Sequence, residues 1–343
     1  MPSINENQLK SQIKSKQYSN IYYFYGNEIF LIELYLSRII SGVTNKSPDI
    51  YNYQKFDFKD IDINELIDSI ETIPWTYDKK VVTVMNFDAE KLIEKQYDMI
   101  EEFLIEPVES TVLIFVSNTT QNEIKKSSKW RNFLKEINKN GAVCEFSHKS
   151  NSQLAEFFSD KAKKNNIKIT SSAIRYFVQE CGPDLKHLQN EFFKLCCYTK
   201  SSEITEKDID IIAIKSFDAS VFDLSKAILK KDSTNALKLL NRLFDNGEDP
   251  IAVTAVLISA YVDIYRMKIA IINKKEKSNI TENFNYKNKE FRLNNAAAYG
   301  SKMHINTVKL CLNELYECDK QLKSSKADKK FIMEICLIKL LQY

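Results

Sequence analysis

Glycine is scarce in this chain, at six of 343 residues, and proline is equally rare at six. A working phosphate loop needs G-x-x-x-x-G-K-[ST], so that backbone N–H groups, a lysine and a hydroxyl converge on phosphate and Mg²⁺. The one strand–glycine–helix turn that invites this reading is Gly26-Asn27-Glu28-Ile29-Phe30-Leu31-Ile32. It has one glycine, no lysine and no hydroxyl residue. Phe30 and Leu31 fill positions where the backbone must approach a ligand closely, and Glu28 would repel a triphosphate. With so few glycines, no other loop can substitute. Gly26, Asn27 and Glu28 therefore form a degenerate phosphate loop, and no cofactor is expected.

Histidine is rarer still. His148, His187 and His304 have no close Cys, Asp or His at ligand spacing, whereas zinc needs about four clustered ligands. All three are expected to be structural, with no metal site. Seven cysteines, an odd count without C-x-x-C, fit reduced thiols. Cys311 and Cys318 lie on a helical pattern and are expected to face a core. No Ser-His-Asp or Cys-His grouping can be inferred, so no catalytic residue is assigned. No apolar run reaches membrane-span length; the longest, 251–259, is broken by Thr254 and Ser259. Residues 1–8 lack a charged start followed by an apolar stretch, so no secretory leader and a cytoplasmic location are expected. Lys and Arg total 49 against 46 Asp and Glu, which gives no charge drive for tight nucleic-acid binding. Two small basic clusters remain, Lys125, Lys126, Lys129 and Arg131, and Lys161, Lys163 and Lys164. Solvating helix surface is the ordinary reading of both, and local phosphate contact is the alternative.

What is present falls into two regimes. The first 147 residues alternate strand-like runs (21–25, 51–58, 81–85, 111–116, 142–146) with helical spacing (28–40, 64–72, 91–105, 130–137). Strands apolar on both faces and separated by helices predict a parallel sheet covered by helices. After Phe146 every pattern is helical. Helices are expected at 152–164, capped by Ser152, then at 171–181, 184–198 and a short one near 204–209. Further helices are expected at 221–230, 234–245, 250–272, 305–322 and 331–343, with 273–290 an exposed polar loop. The fold class is α/β followed by all-α, with domains at 1–147, 148–214 and 215–343. Asp88 and Glu90, after the third strand, suit the dipole of the next helix better than a metal. Ser117 and Asn118 end the fourth strand, where related ATPases keep a polar sensor, and are uninformative alone.

Several segments, in order, resemble the delta subunit family of the bacterial DNA polymerase III clamp loader. They are Tyr23-Phe24-Tyr25-Gly26-Asn27-Glu28-Ile29-Phe30-Leu31-Ile32, then Thr72-Ile73-Pro74-Trp75-Thr76-Tyr77-Asp78-Lys79-Lys80-Val81-Val82. Cys181-Gly182-Pro183-Asp184-Leu185-Lys186-His187-Leu188-Gln189-Asn190-Glu191 matches the family's G-x-D-L-x-x-L-x-N-E pattern. Val221-Phe222-Asp223-Leu224 and Asp319-Lys320-Gln321-Leu322-Lys323-Ser324 complete the series. The resemblance implies an AAA+ type first domain, a helical lid and a C-terminal collar joining a ring. It implies as partners the sliding clamp (beta), the tau/gamma ATPase subunits, delta-prime and, through the assembled complex, primer-template DNA. It also implies that an apolar tip, at Ile73, Pro74, Trp75, Thr76 and Tyr77, enters a clamp pocket while neighbours hydrolyse ATP. The family's two large plug residues fall on Trp75 and Thr76. Thr76 departs from that pattern, so Ile73 or Tyr77 would supply the second contact. Trp75 as a core residue between helix and strand is the competing reading, because Trp is mostly buried on average. Two rivals to the whole assignment are an active AAA+ ATPase of a related ring and a DNA-binding helical protein.

Overall fold

A computed structural model describes residues 4–75, 77–199, 203–284, 286, 290–300 and 303–343, apart from the side chains of 122, 290, 291, 295, 299 and 300. The chain forms two compact units, 1–148 and 149–343.

In the first unit the strands are β1 (Ile21–Tyr25), β2 (Tyr53–Asp57), β3 (Lys80–Met85), β4 (Thr111–Ser117) and β5 (Ala142–Glu145). They pair in the order β2-β3-β4-β1-β5, all parallel. Helices α1 (Glu6–Ser15), α2 (Ile29–Val43), α3 (Ile63–Glu71), α4 (Glu94–Ile105), α5 (Gln121–Lys126) and α6 (Ser128–Asn140) surround the sheet or connect its strands. The unbroken apolar runs behave as their composition predicts. All of β1 and β4, and all of β3 but Met85, are buried. On one face Phe87 stacks on Phe133 at 4.7 Å and meets Phe115 at 4.6 Å, with Tyr23 5.5 Å from Trp130.

The helical boundaries carry corrections. The helix expected at 91–105 is a 3-10 turn, Ala89–Lys91, followed by α4; Asp88 caps the turn through Glu90 N–H at 3.1 Å. Two helices of the first unit went unpredicted. Asn5 and Gln8 form a capping box that starts α1, and Thr120 and Glu123 do the same for α5. Both helices bury too few residues to show an apolar period.

The second unit holds α7 (Asn151–Lys164), α8 (Ser171–Cys181), α9 (Leu185–Tyr198), α10 (Glu206–Ile212), α11 (Phe217–Leu229), α12 (Ser233–Asp245), α13 (Pro250–Ile272), α14 (Lys277–Asn283), α15 (Glu290–Gly300), α16 (Ile305–Ser324) and α17 (Lys329–Gln342). A two-residue pair of strands, β6 (Lys168–Ile169) and β7 (Glu203–Ile204), runs parallel among them. The cap of α7 is Ser150 rather than Ser152, because Gln153 at the third helical position reciprocates its hydrogen bond. The stretch 273–290, expected as loop, contains α14, which buries Ile280 under α13. The helix expected from 221 begins at Phe217, capped by Ser216.

The G-x-D-L-x-x-L-x-N-E segment has a local physical account. Gly182 ends α8 at φ +79, Asp184 accepts from His187 N–H at 2.6 Å to start α9, and Leu185 and Leu188 are buried. Glu191, also buried, accepts from Ile214 N–H at 2.8 Å. Cys311 and Cys318 are buried as expected. In the Asp319-to-Ser324 stretch Leu322 is buried while Asp319 and Lys323 pair at 2.7 Å across one helical turn, as on an ordinary solvated helix end.

One buried charge holds the C-terminal helices. Asp263 of α13 is 3% exposed, accepts from the Tyr286 hydroxyl and pairs with Arg292 at 2.7 Å. Truncating it leaves the Arg292 guanidinium without its carboxylate. Asp263→Ala is expected to lower the unfolding free energy by on the order of 3 kcal/mol. A urea titration checks this, and a midpoint equal to wild type would refute it.

Candidate protein-docking site

The sheet offers two edges where loops leave buried strands. At its carboxyl edge the degenerate loop folds onto the segment that leaves β5. Gly26 has φ +124, and a Cβ there would lie 2.2 Å from the Phe146 carbonyl oxygen. Glu28 donates its N–H to that same oxygen at 2.9 Å. The Asn27 carboxamide accepts from His148 N–H at 3.0 Å, and the buried Glu28 carboxylate meets His148 Nδ1 at 3.0 Å. The Glu28 amide that a phosphate would seek is thus bound to protein, and a carboxylate stands beside it.

The rest of the carboxyl edge is an open cleft of about 710 Å³ above β2 to β4, lined by Phe58, Asn86, Phe87, Asp88, Asn118 and Trp130 among others. Two of its polar groups are engaged locally: Asn86 donates to Asp57 at 2.7 Å, and Asp88 caps its own turn. Ser117, at the end of β4, shares a 2.7 Å hydrogen bond with Tyr23 inside the core. No group of three or more metal-ligating side chains occurs among the described residues.

The amino edge is different. There α3 runs into β3 through residues 72–79, and four carbonyls at the end of α3 and just past it all find donors. Thr72 returns its N–H and hydroxyl to Asp68 O at 3.0 and 2.6 Å, and Thr111 donates to Ile70 O at 2.9 Å. The Lys80 ammonium, 3% exposed, donates to both Ser69 O and Thr72 O. A cation at a helix C-terminus also suits the dipole. Lys80 is the first residue of β3, so one side chain ties both ends of the 72–79 loop together. Its neighbour Lys79 reaches Asn20 Oδ1 at 3.2 Å.

From this base the apolar residues project. Trp75 is 96% exposed and is not a core residue; Ile73 is also exposed, while Pro74 is buried beneath them. Tyr77 is half-buried, and its hydroxyl donates to Asp49 Oδ2 at 2.7 Å. Thr76 lies outside the described residues. In the sequence Lys79 and Lys80 stand out only as members of the family-like segment 72–82. Their anchoring role could have been suspected from a lysine opening an otherwise apolar strand.

The basic clusters are partly tied up. Lys129 donates to Glu90 O and Leu92 O at 3.3 and 2.8 Å, Arg131 to Lys125 O at 2.9 Å, and Lys163 pairs with Asp160 at 3.8 Å.

Burial pushes the Lys80 pKa down to about 8. The unfolded chain, with lysine near 10.5, then binds more protons than the native state between those values, so this group's contribution to stability rises with pH across that window. Lys80→Met is expected to abolish that rise, read from unfolding at pH 7.5 and 9.5. It is also expected to speed amide exchange in 72–79 about tenfold through the lost carbonyl bonds. Unaltered exchange would show that Lys80 does not hold the loop.

Residues 22–147 match the model of "DNA polymerase III, delta subunit", and 218–340 match that of "DNA polymerase III delta subunit, C-terminal domain". The chain is 23% identical over 337 residues to DNA polymerase III subunit delta of Bacillus subtilis strain 168, covering 96% of this chain and 95% of that protein. It is 25% identical over 254 residues to the probable DNA polymerase III subunit delta of Aquifex aeolicus strain VF5, covering 72% and 70%. Among solved structures it is similar to the Bacillus subtilis DNA clamp loader delta protein, with TM-score 0.65, 21% identity and coverage of 98% and 99%.

Proposed function

We propose a mechanical role for this chain, which belongs to the DNA polymerase III delta subunit family and is a clamp-loader subunit: it grips the sliding clamp by the Trp75 loop and holds the ring open for loading onto primed DNA. Its fold is AAA+-like, an α/β unit with a parallel sheet followed by helices. The observation that carries the reading is the exposure of Trp75 at 96% on a loop whose two ends are joined by Lys80.

Large aromatic anchors entering a pocket dominate interface energy, at about 2–4 kcal/mol for a strong one. A loop already ordered before contact keeps more of that energy, because less entropy is lost on docking. Pro74, buried under the tip, restricts the loop further. Ile73 supplies the second apolar contact where the family pattern fails at Thr76, and Tyr77 acts as a buttress rather than a plug.

ATP is bound and hydrolysed by neighbouring tau/gamma subunits rather than by this chain. Supporting this, the Glu28 amide is hydrogen-bonded to Phe146 O and the Glu28 carboxylate lies where a triphosphate would approach. In this reading 148–214 serves as the lid and 215–343 as the collar that joins the ring with delta-prime. An outward apolar stripe on α17, Phe331, Ile335 and Ile338 at one-face helical spacing, suits such assembly. Primer-template DNA is reached through the assembled complex, in keeping with the local pairing of Lys129 and Arg131.

Two measurements test the proposal. Trp75→Ala is expected to weaken binding of the cognate sliding clamp at least tenfold, with an unchanged melting temperature. Equal affinity in that variant would remove Trp75 as the plug. Calorimetric titration of the isolated chain with Mg-ATP is expected to give no micromolar binding, and a saturable micromolar isotherm would favour an active ATPase.

A further inference from the structure

The four most exposed large apolar side chains described in the first unit are Trp75 at 96%, Ile50 at 73%, Ile73 at 70% and Tyr51 at 69%. Single exposed apolar residues are ordinary; four gathered at one corner of a domain are not. Ile73 and Trp75 belong to the loop entering β3. Ile50 and Tyr51 belong to a separate turn entering β2, the strand paired with β3 from Tyr53↔Val81 onward. Both loops therefore emerge at the amino edge of adjacent strands.

One carboxylate connects them. Asp49 Oδ1 accepts from Tyr51 N–H at 2.9 Å and Asn52 N–H at 3.0 Å, which fixes the Ile50–Tyr51 turn. Asp49 Oδ2 accepts from the Tyr77 hydroxyl of the other loop at 2.7 Å. Asn52 locks the base of the turn: fully buried, it accepts from Asp49 N–H at 2.8 Å and donates to Ser47 O at 3.0 Å. Its own carbonyl accepts from Val81 N–H at 2.9 Å. Nothing in this network requires Ile50 or Tyr51 to face solvent. A turn whose backbone is this ordered, and whose two apolar side chains are nonetheless held out in water, has the features of a preformed contact surface.

We infer that Ile50 and Tyr51 form a second lobe of the clamp-gripping surface, and that Asp49 is the positioning residue that holds the two lobes in register. This rests on the clamp-binding reading given above. The occupant is the same sliding clamp, and its face beside the pocket for Trp75 would carry an apolar ledge. Continuity with the Trp75 tip favours that occupant over any unrelated partner. The tip alone offers Trp75 and Ile73, whereas the two lobes together present four apolar side chains from two strand-entry loops. Tyr77 explains why the gripping loop has an aromatic residue that does not itself project: its ring spans to Asp49.

Surface plasmon resonance of the full chain on the immobilised cognate sliding clamp tests the inference. The Ile50→Ser, Tyr51→Ser double variant is expected to bind about tenfold more weakly than wild type, with an unchanged melting temperature. Asp49→Ala is expected to weaken binding severalfold in the wild-type background and to add less in the double-variant background, where only its hold on Tyr77 remains to be lost. Tryptophan emission gives an independent readout. Trp130 is buried, so a blue shift on clamp addition reports Trp75. The double variant at saturating clamp is expected to retain that shift. Wild-type affinity in the double variant, alongside a weakened Trp75→Ala, would overturn the second lobe and leave the clamp-binding reading standing. Absence of clamp binding by the wild-type chain would overturn both.

Discussion

β1, β3 and β4 are covered on both faces by helices, and a parallel sheet built from such strands has no free surface of its own. Its backbone polar groups are paired in the ladder and its side chains are packed in two cores. What remains available for recognition is the pair of edges, where the chain must leave one strand and enter the next. In this protein the edges have diverged. At the carboxyl edge, beside Gly26, the loops turn inward and bond to one another. At the amino edge, beside Lys80, they turn outward and carry apolar side chains into water. At the first edge the Phe146 carbonyl and the Asn27 carboxamide take up loop N–H groups; at the second, Lys80 satisfies carbonyls at the end of α3 while Asp49 and Asn52 hold the turn before β2.

The outward edge depends on two charged side chains whose hydrogen bonds are spent inside the domain. Lys80 converts carbonyls at the end of α3 and just past it into an anchorage, and Asp49 links the turn before β2 to the loop before β3. Both place a strong acceptor–donor set close to the backbone, where a short loop is otherwise held only by its ends. Rigidity of this kind matters for an apolar tip. A flexible loop with Trp75 would collapse onto the nearest apolar surface, lowering its exposure and raising the entropy lost on docking.

Much of the fold is legible in the sequence because burial on both faces leaves a plain mark. Runs such as Val112 to Val116 have no polar interruption, and three such runs with two weaker strand-like ones, separated by helical spacing, permit few topologies. The legible part of the candidate site is its composition: Trp75 in a Pro-containing turn ahead of a strand. Its architecture was not legible. Asp49 and Tyr77 are 28 positions apart, and their contact exists only because β2 and β3 are neighbours in the sheet. Lys80 reads as a surface lysine by type, and only the three-dimensional return of α3 toward β3 reveals it as buried. Helices α1, α5 and α14 escaped for a different reason. Each is fixed by caps or by a single buried residue, so the apolar period that marks longer helices is too short to register.

Gly26 shows how the same residue can carry two histories. In a phosphate loop, glycine is required because a ligand approaches the backbone. Here glycine is still required, since φ is +124 and any Cβ would collide with the Phe146 carbonyl oxygen at 2.2 Å. The close approach persists, but the approaching group is protein. The strand–glycine–helix signature alone therefore cannot distinguish a nucleotide site from a loop closed by its own chain. The distinction lies in what accompanies the glycine: Glu28 where a phosphate would demand a neutral or cationic group, and Phe146 O as the acceptor for the Glu28 amide. Replacing the ligand's contacts with internal ones also keeps the backbone satisfied without nucleotide, so this edge of the domain can hold its shape with nothing bound.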